Sequence, residues 1–255
     1  MIDIHCHILP GMDDGPDHIE ETLDMFRLSQ EDGIQGIVAT PHLYSGLFTT
    51  TREGILRCYE EVLEALETEK INVKLYIGAD LHLVPELTRK IIENHALTLN
   101  HGKYFLLELP SRVLPPNLNK LIEDLISHGF IPIITHPERN LVILRNEQIL
   151  IDMIHLGALC QVTAMSVTGE FGKECENLSR RLLEAHAVHF IASDAHSTGW
   201  RGPGLSRAAK VAEDLIGEES ARRLVQGHQE VLLAGGGIEP APVRKLSKRK
   251  RFWFF

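Results

Sequence analysis

Seven short apolar runs recur along this chain, at residues 2–5, 36–40, 73–78, 104–109, 131–135, 159–163 and 189–193. They are rich in β-branched and aromatic side chains and too short for helices, so they predict strands. Between them the apolar positions fall every three or four residues, over 17–31, 51–69, 85–93, 117–127, 147–156, 175–187 and 205–216, which predicts helices. Strand then helix, seven times, is the alternation of a parallel α/β fold. Gly33, Gly129 and Gly157 stand where helices end, and glycine suits the left-handed residue that turns the chain back to a sheet. Residues 217–237 predict one more helix and a return segment.

An open doubly wound sheet and a closed barrel share this alternation, and the polar residues choose between them. An open sheet gathers its ligand groups at one switch point, whereas a barrel gathers them around a rim. Here they come from nearly every strand end: His5-Cys6-His7, Thr40-Pro41-His42, Gly78-Ala79-Asp80, Leu107-Glu108, Thr135-His136-Pro137-Glu138-Arg139 and Ser193-Asp194-Ala195-His196. The expectation is a seven-stranded barrel-like closure forming one domain over residues 1–240, followed by a basic-aromatic tail, 241–255. The length of 255 residues agrees, since α/β barrels of about 200–250 residues are common as one domain.

Composition narrows the setting. No run of about 18 apolar residues is available to span a bilayer, and His5 interrupts any signal-peptide core, so a cytoplasmic protein is expected. Cys6, Cys58, Cys160 and Cys175 are scattered without a C-x-x-C pair, which argues against a disulfide framework and a zinc knuckle. The net charge of −9 conceals a tail, 244–255, that carries six basic residues and no acid, leaving −15 on residues 1–243. So acidic a body does not suit a nucleic-acid binder. The tail, ending Phe252-Trp253-Phe254-Phe255, resembles a polybasic interfacial anchor, which suits contact with the inner membrane face, a partner protein or another subunit.

Convergence at one rim would join His5, His7, His42, His136 and His196 to Asp14, Asp80, Glu108 and Asp194. That is more than a single four-coordinate ion can use, so two or three ions fit better. The mixed nitrogen and oxygen set suits manganese, iron or zinc over calcium or magnesium. Paired ions serve to clamp an in-line displacement at phosphorus. Arg139 and Arg201, in loops at the same rim, offer planar donor forks that match phosphate oxygens. Cys175 and Arg181 share the C-x5-R spacing of cysteine-based phosphatases, but Glu174 and Glu176 flank the thiol, no glycines cradle a phosphate, and the segment reads as helix.

His5-Cys6-His7, Met12-Asp13-Asp14-Gly15, Ala39-Thr40-Pro41-His42, Thr135-His136-Pro137-Glu138-Arg139-Asn140 and Ala192-Ser193-Asp194-Ala195-His196 together resemble the PHP (polymerase and histidinol phosphatase) superfamily. More narrowly, they resemble its bacterial manganese-dependent protein-tyrosine phosphatases of capsule and exopolysaccharide loci, the CpsB/YwqE type. The resemblance implies a distorted seven-stranded TIM-like (β/α) barrel holding three metal ions, Mn2+ or else Fe or Zn. It implies hydrolysis of phosphotyrosine on a bacterial tyrosine kinase that governs polysaccharide synthesis and export. Carried over by motif, His5, His7, Glu108 and Asp194 would hold one ion, Asp80, Glu108 and His136 a second, and Asp14, His42 and His196 a third. Arg139 and Arg201 would bind the phosphate. Where the family has Gly-x-Glu-x-Arg, this chain has Asp80 and His82, a carboxylate one methylene shorter and an imidazole that could replace the lost charge or ligation. Asp3 and Asp13 are expected to support ligands by hydrogen bonds. A histidinol-phosphate-type phosphatase would use the same metals. A weakly catalytic docking regulator for the kinase is the reading from another class, and the intact ligand set argues against it.

Overall fold

The computed structural model describes residues 1–247, and its strands lie in two wholly parallel sheets. In chain order they are β1 (Ile2–Cys6), β2 (Gly36–Ala39), β3 (His42–Leu43), β4 (Lys74–Ile77), β5 (Asp80–His82), β6 (Tyr104–Glu108), β7 (Ile131–Thr135), β8 (Leu159–Thr163) and β9 (Phe190–Ala192). One sheet runs β1-β2-β4 and the other β3-β5-β6-β7-β8-β9. Helices fill the intervals, so the α/β reading holds.

Two of the expected strands are each broken in the middle. The run at 36–40 stops at Thr40-Pro41 and resumes as β3, and the run at 73–78 stops at Gly78-Ala79 and resumes as β5. Proline has no N–H to give a ladder, and the Pro41 carbonyl instead accepts the Asp80 N–H at 3.1 Å. A Cβ on Gly78 would sit 2.8 Å from Leu99 and 3.2 Å from Val38, so only glycine permits this approach. The first halves, β2 and β4, pair with each other and join β1 through β2, and the second halves, β3 and β5, pair with each other and join β6 through β5. β1 and β9 meet at one isolated bridge, Cys6 with Ala195, flanked by Asp194 N–H to His5 O (2.9 Å) and His7 N–H to Ala195 O (2.8 Å). The expected seven-stranded barrel therefore appears as nine strand segments in two sheets, with no closed hydrogen-bonded ring among the described residues. The physical cause is the pair of interruptions.

Neighbouring residues on a strand face opposite ways, and both faces here are covered, which explains the unbroken apolar runs. Ile4, Val38, Leu106, Ile133, Leu159 and Phe190 form an inner cluster, whereas Ile37, Phe105, Leu107, Ile134, Cys160 and Ile191 pack in the outer layer. Followed toward the C-terminal strand ends, the inner face turns from apolar to polar: Val38, Thr40, His42 on one line, Leu106, Glu108 on another, Ala192, Asp194 on a third. An apolar floor thus supports a polar top.

Some local structure departs from the periodicity. A 3-10 turn at Pro137–Arg139 and the short helix Leu141–Arg145 follow β7, Ala164–Thr168 follows β8 directly, and residues 217–237 form Glu218–Arg222, a π turn at Arg223–Gly227, and His228–Leu233. Val243 and Leu246 pack against the outer core, and the Arg244 N–H donates to Ala185 O at 2.8 Å. Most of the basic-aromatic tail, 248–255, lies outside the described residues. No helix among the described residues is long and apolar enough to cross a membrane.

His189, just before β9, is buried, and its Nδ1 accepts the Cys160 N–H at 3.0 Å. Burial and then the charge of His228 hold it down from 6.5 to about 3. The folded chain therefore keeps this ring neutral while the unfolded chain takes up a proton below pH 6.5. Its contribution is intact above that pH and is lost between 6.5 and about 3, at a slope of about 1.4 kcal/mol per pH unit. Asparagine would keep the acceptor but not the titration. Urea unfolding at a series of pH values is expected to show a shallower acid limb for His189→Asn than for wild type; parallel limbs would remove this role.

Candidate metal centre

Strand register builds the centre. β3 and β5 pair His42 with Asp80, and β5 and β6 pair His82 with Glu108, so these four side chains form adjacent rows on one face. On β1 the register slips between Asp3 and Cys6. Ile4 thereby enters the inner cluster while His5 and His7 still converge. His136 and Asp194, at the ends of β7 and β9, adopt left-handed backbone conformations, with φ of 34° and 54°. Such geometry costs about 1–3 kcal/mol outside glycine and persists only where surroundings enforce it. Here the Arg139 N–H to His136 O bond (2.9 Å) and the Asp194 N–H to His5 O bond (2.9 Å) do so.

All nine ligands expected from sequence come together at this end. His7, Asp14, His42 and His196 each place one donor atom within 4.8 Å of the others, as do His42, Asp80, His82 and Glu108, and His5, His7 and Asp80. Asp194 Oδ1 lies 3.4 Å from His5 Nε2, 3.5 Å from His7 Nε2 and 3.7 Å from His196 Nδ1. His136 stands just outside these groups, its Nε2 3.9 Å from Glu108 Oε1 and its ring 5.7 Å from that of His5. Arg139 and Arg201 both bond Asp194 Oδ2, Arg201 at 2.9 Å.

Hydrogen bonds fix which ring nitrogens face inward. His5 Nδ1–H donates to Gln161 Oε1 (2.9 Å), His7 Nδ1–H to Asp13 Oδ2 (2.6 Å) and His196 Nδ1–H to the Asp194 carbonyl (2.9 Å). In the neutral tautomers each leaves a bare Nε2, as ligand histidines require. The His5 and His7 Nε2 atoms then meet at 3.1 Å, an approach that calls for positive charge, a proton or a metal ion, between their lone pairs. Asp80 points the same way: it is fully buried, and neither carboxylate oxygen has a hydrogen-bond donor. A buried carboxylate without donors is costly unless a cation balances it. These residues therefore fit divalent metal ions.

The electrostatics agree. Burial pulls the His7 imidazole down, but the Asp13 and Asp194 carboxylates reverse this and raise it to about 10, so its Nε2 draws positive charge, and a metal ion there would take the place of a proton. Burial and then the Arg139 guanidinium lower His136 to about 4, keeping it neutral, the form that ligates. Against the cost of burial, His5, His42 and His136 hold Asp80 below the ordinary carboxylate range.

Asp13 and Asp3 stand where supporting hydrogen bonds are expected: Asp13 bonds His7 and accepts the His42 N–H at 2.8 Å. Asp3 Oδ1 accepts the N–H groups of His5 (3.2 Å) and Ser193 (3.1 Å). His82, expected as a replacement for charge or ligation lost with the shorter Asp80, sits 2.5 Å from Glu108 Oε2 and 3.1 Å from His42 Nδ1. Gln161 was not anticipated, although its place two residues beyond Leu159 on the inner face of β8 was readable. Phe48, stacked on His42 with rings 4° from parallel, carried no such signal.

The matches to known proteins run the length of the chain. The family model for capsular polysaccharide synthesis, CpsB/CapC, matches residues 1–234. The tyrosine-protein phosphatase YwqE of Bacillus subtilis (strain 168) is 36% identical over 255 residues, covering 100% of both chains. The putative tyrosine-protein phosphatase CapC of Staphylococcus aureus is 37% identical over 197 residues, 77% of each chain. Among solved structures, one from work on YwqE of Bacillus subtilis and CpsB of Streptococcus pneumoniae, described as unique metal-dependent tyrosine phosphatases, superposes with a TM-score of 0.93. It is 35% identical, covering 98% of this chain and 100% of the other. With the histidine and carboxylate motifs falling inside the matched span, the chain belongs to the CpsB/CapC family of capsular polysaccharide synthesis.

Proposed function

We propose that this chain is a metal-dependent protein-tyrosine phosphatase acting in capsular or exopolysaccharide synthesis, with the two sheets serving as one distorted barrel frame over residues 1–240. The observation that carries the reading is the pair of facing His5 and His7 Nε2 atoms beside Asp80 and Asp194, with two arginines on Asp194. Three ions, manganese foremost, fit the number of donors: His5, His7 and Asp194 toward one, Asp80, His82, Glu108 and His136 toward another, and Asp14, His42 and His196 toward a third. Bound ions supply Lewis acidity at a phosphoryl oxygen. Arg139 and Arg201 turn their remaining N–H groups to the other phosphate oxygens and balance charge as the ester bond breaks. Asp13 and Gln161 keep the His7 and His5 rings oriented, and the inner apolar cluster denies water a path from below.

A protein substrate is favoured over a small one by the rim. Asp14 is 48% exposed, and Leu47, Val113 and Trp200, in loops beyond strand ends, and Leu141, at the start of a short helix, are exposed apolar residues. A polar floor within an apolar collar suits a segment of another protein, and the acting partner fits a phosphotyrosine-bearing kinase. The tail would hold the enzyme near that kinase or the inner membrane face. Hydrolysis of a phosphotyrosine peptide and of histidinol phosphate under Mn2+ tests the choice: a marked preference for the peptide is expected, and the reverse would overturn it.

Chelation is expected to abolish activity and thiol alkylation to spare it. Cys6, Cys58 and Cys160 are buried. Burial and then the Glu138 carboxylate raise the Cys175 thiol, and Arg181 is committed to Glu147 and the Ser247 carbonyl, not to a phosphate loop. Rates after EDTA or iodoacetamide treatment check this; loss on alkylation with metal retained would point back to Cys175.

A further inference from the structure

Apolar side chains crowd the end of the molecule where charge is most concentrated. Leu47, Val113 and Trp200 are the most exposed large hydrophobic residues described, at 84%, 75% and 67%, and each lies in a loop beyond a C-terminal strand end. Trp200 differs from the others in being held. The loop 196–201 is closed by the N–H groups of His196 (2.8 Å) and Ser197 (3.2 Å) on the Arg201 carbonyl. The indole then meets the Phe171 ring edge to face, at 84° and 5.5 Å between centroids. Phe171 in turn lies 4.7 Å from the Arg139 guanidinium. Arg139 bonds Asp194, so one line of contacts, Asp194 to Arg139 to Phe171 to Trp200, runs from the metal-ligating carboxylate to solvent.

A phosphate held by Arg139 and Arg201 carries its ester group one bond from phosphorus. The group attached there must begin beside the side chains that flank the arginines, and on this side those are two aromatic rings. Aromatic rings recognise one another by offset and edge-to-face contact at about 4.5–7 Å, with a gain beyond simple burial. We propose that Phe171 and Trp200 form a wall that receives the aromatic ring of a phosphoryl ester and so selects aryl over alkyl phosphates. The proposal rests on the phosphotyrosine phosphatase reading and supplies its specificity.

Phenylphosphonate and methylphosphonate share one anionic head and differ in the ring, so their binding isolates the wall. Calorimetry on the full-length, manganese-loaded chain is expected to show phenylphosphonate bound about tenfold more tightly. Trp200→Ala is expected to cut that preference by about three- to tenfold, and Trp200→Phe to restore most of it. Because Trp200 is largely exposed, its replacement leaves the buried clusters intact, and thermal unfolding of each variant verifies this. Equal binding by wild type, or an unchanged preference in Trp200→Ala, would overturn the wall. Hydrolysis of a phosphotyrosine peptide is scored alongside. Hydrolysis without aryl preference removes the wall alone, and aryl preference without hydrolysis removes the phosphatase reading alone.

Discussion

Replacing Asp194 by asparagine is expected to lower phosphotyrosine hydrolysis by about a thousandfold or more. One oxygen of this carboxylate lies within 3.7 Å of three ligand histidines, and the other holds both arginines. The amide removes the charge that attracts a metal and turns a donor toward two guanidinium groups that are already donors. Partly buried cations left without their anion cost about 3–5 kcal/mol. The variant should therefore lose bound metal and unfold at lower temperature as well as lose rate. Metal content by atomic emission, thermal unfolding and steady-state hydrolysis measure the three effects. Wild-type metal content together with a wild-type rate would show that Asp194 is neither ligand nor anchor.

Truncating both arginines is the second large effect. Each donor aimed at developing charge is worth about 10²–10³-fold in rate, and Arg139→Ala with Arg201→Ala is expected to cost at least as much as the larger single loss. The two losses should not simply multiply, because both side chains share one oxygen of Asp194. Arg139→Lys should recover little, since a lysine cannot present a two-point fork to phosphate or lie flat over Phe171. Metal content should survive in the double variant, which separates it from Asp194→Asn. A metal-loaded double variant hydrolysing at the wild-type rate would remove both arginines from phosphate binding.

The apolar runs made most of the fold legible because all strands but β4, where Lys74 is exposed, are largely covered on both faces, and an unbroken β-branched run carries that signature. The two interruptions were less legible. Thr40-Pro41 and Gly78-Ala79 read as strand ends, yet each is a gap of two residues after which the strand resumes in a second sheet. Nothing local announces β5, because three residues carry no period; its existence depends on register with β3 and β6. The same limit left the placement of His82, named beside Asp80 as a substitute for charge or ligation, to the sheet register. An imidazole two residues after Asp80 lies on the same face, but only pairing with Glu108 shows that this face is the centre. The histidines and carboxylates that converge at the strand ends were legible from their spacing to apolar runs. Gln161 and Phe48 were not, since a lone amide or phenyl near a strand end has many ordinary uses.

The bridge between Cys6 and Ala195 has a consequence for how the protein is made. His5 and His7 leave the ribosome well before Asp194 and His196, which face them. Until the later pair is made, the two histidines lack the carboxylate that would complete their side of the centre. That side is finished only when β9 docks against β1, so loading there would follow folding. A chain stalled before Asp194 would present no finished centre, and a half-made phosphatase would be silent.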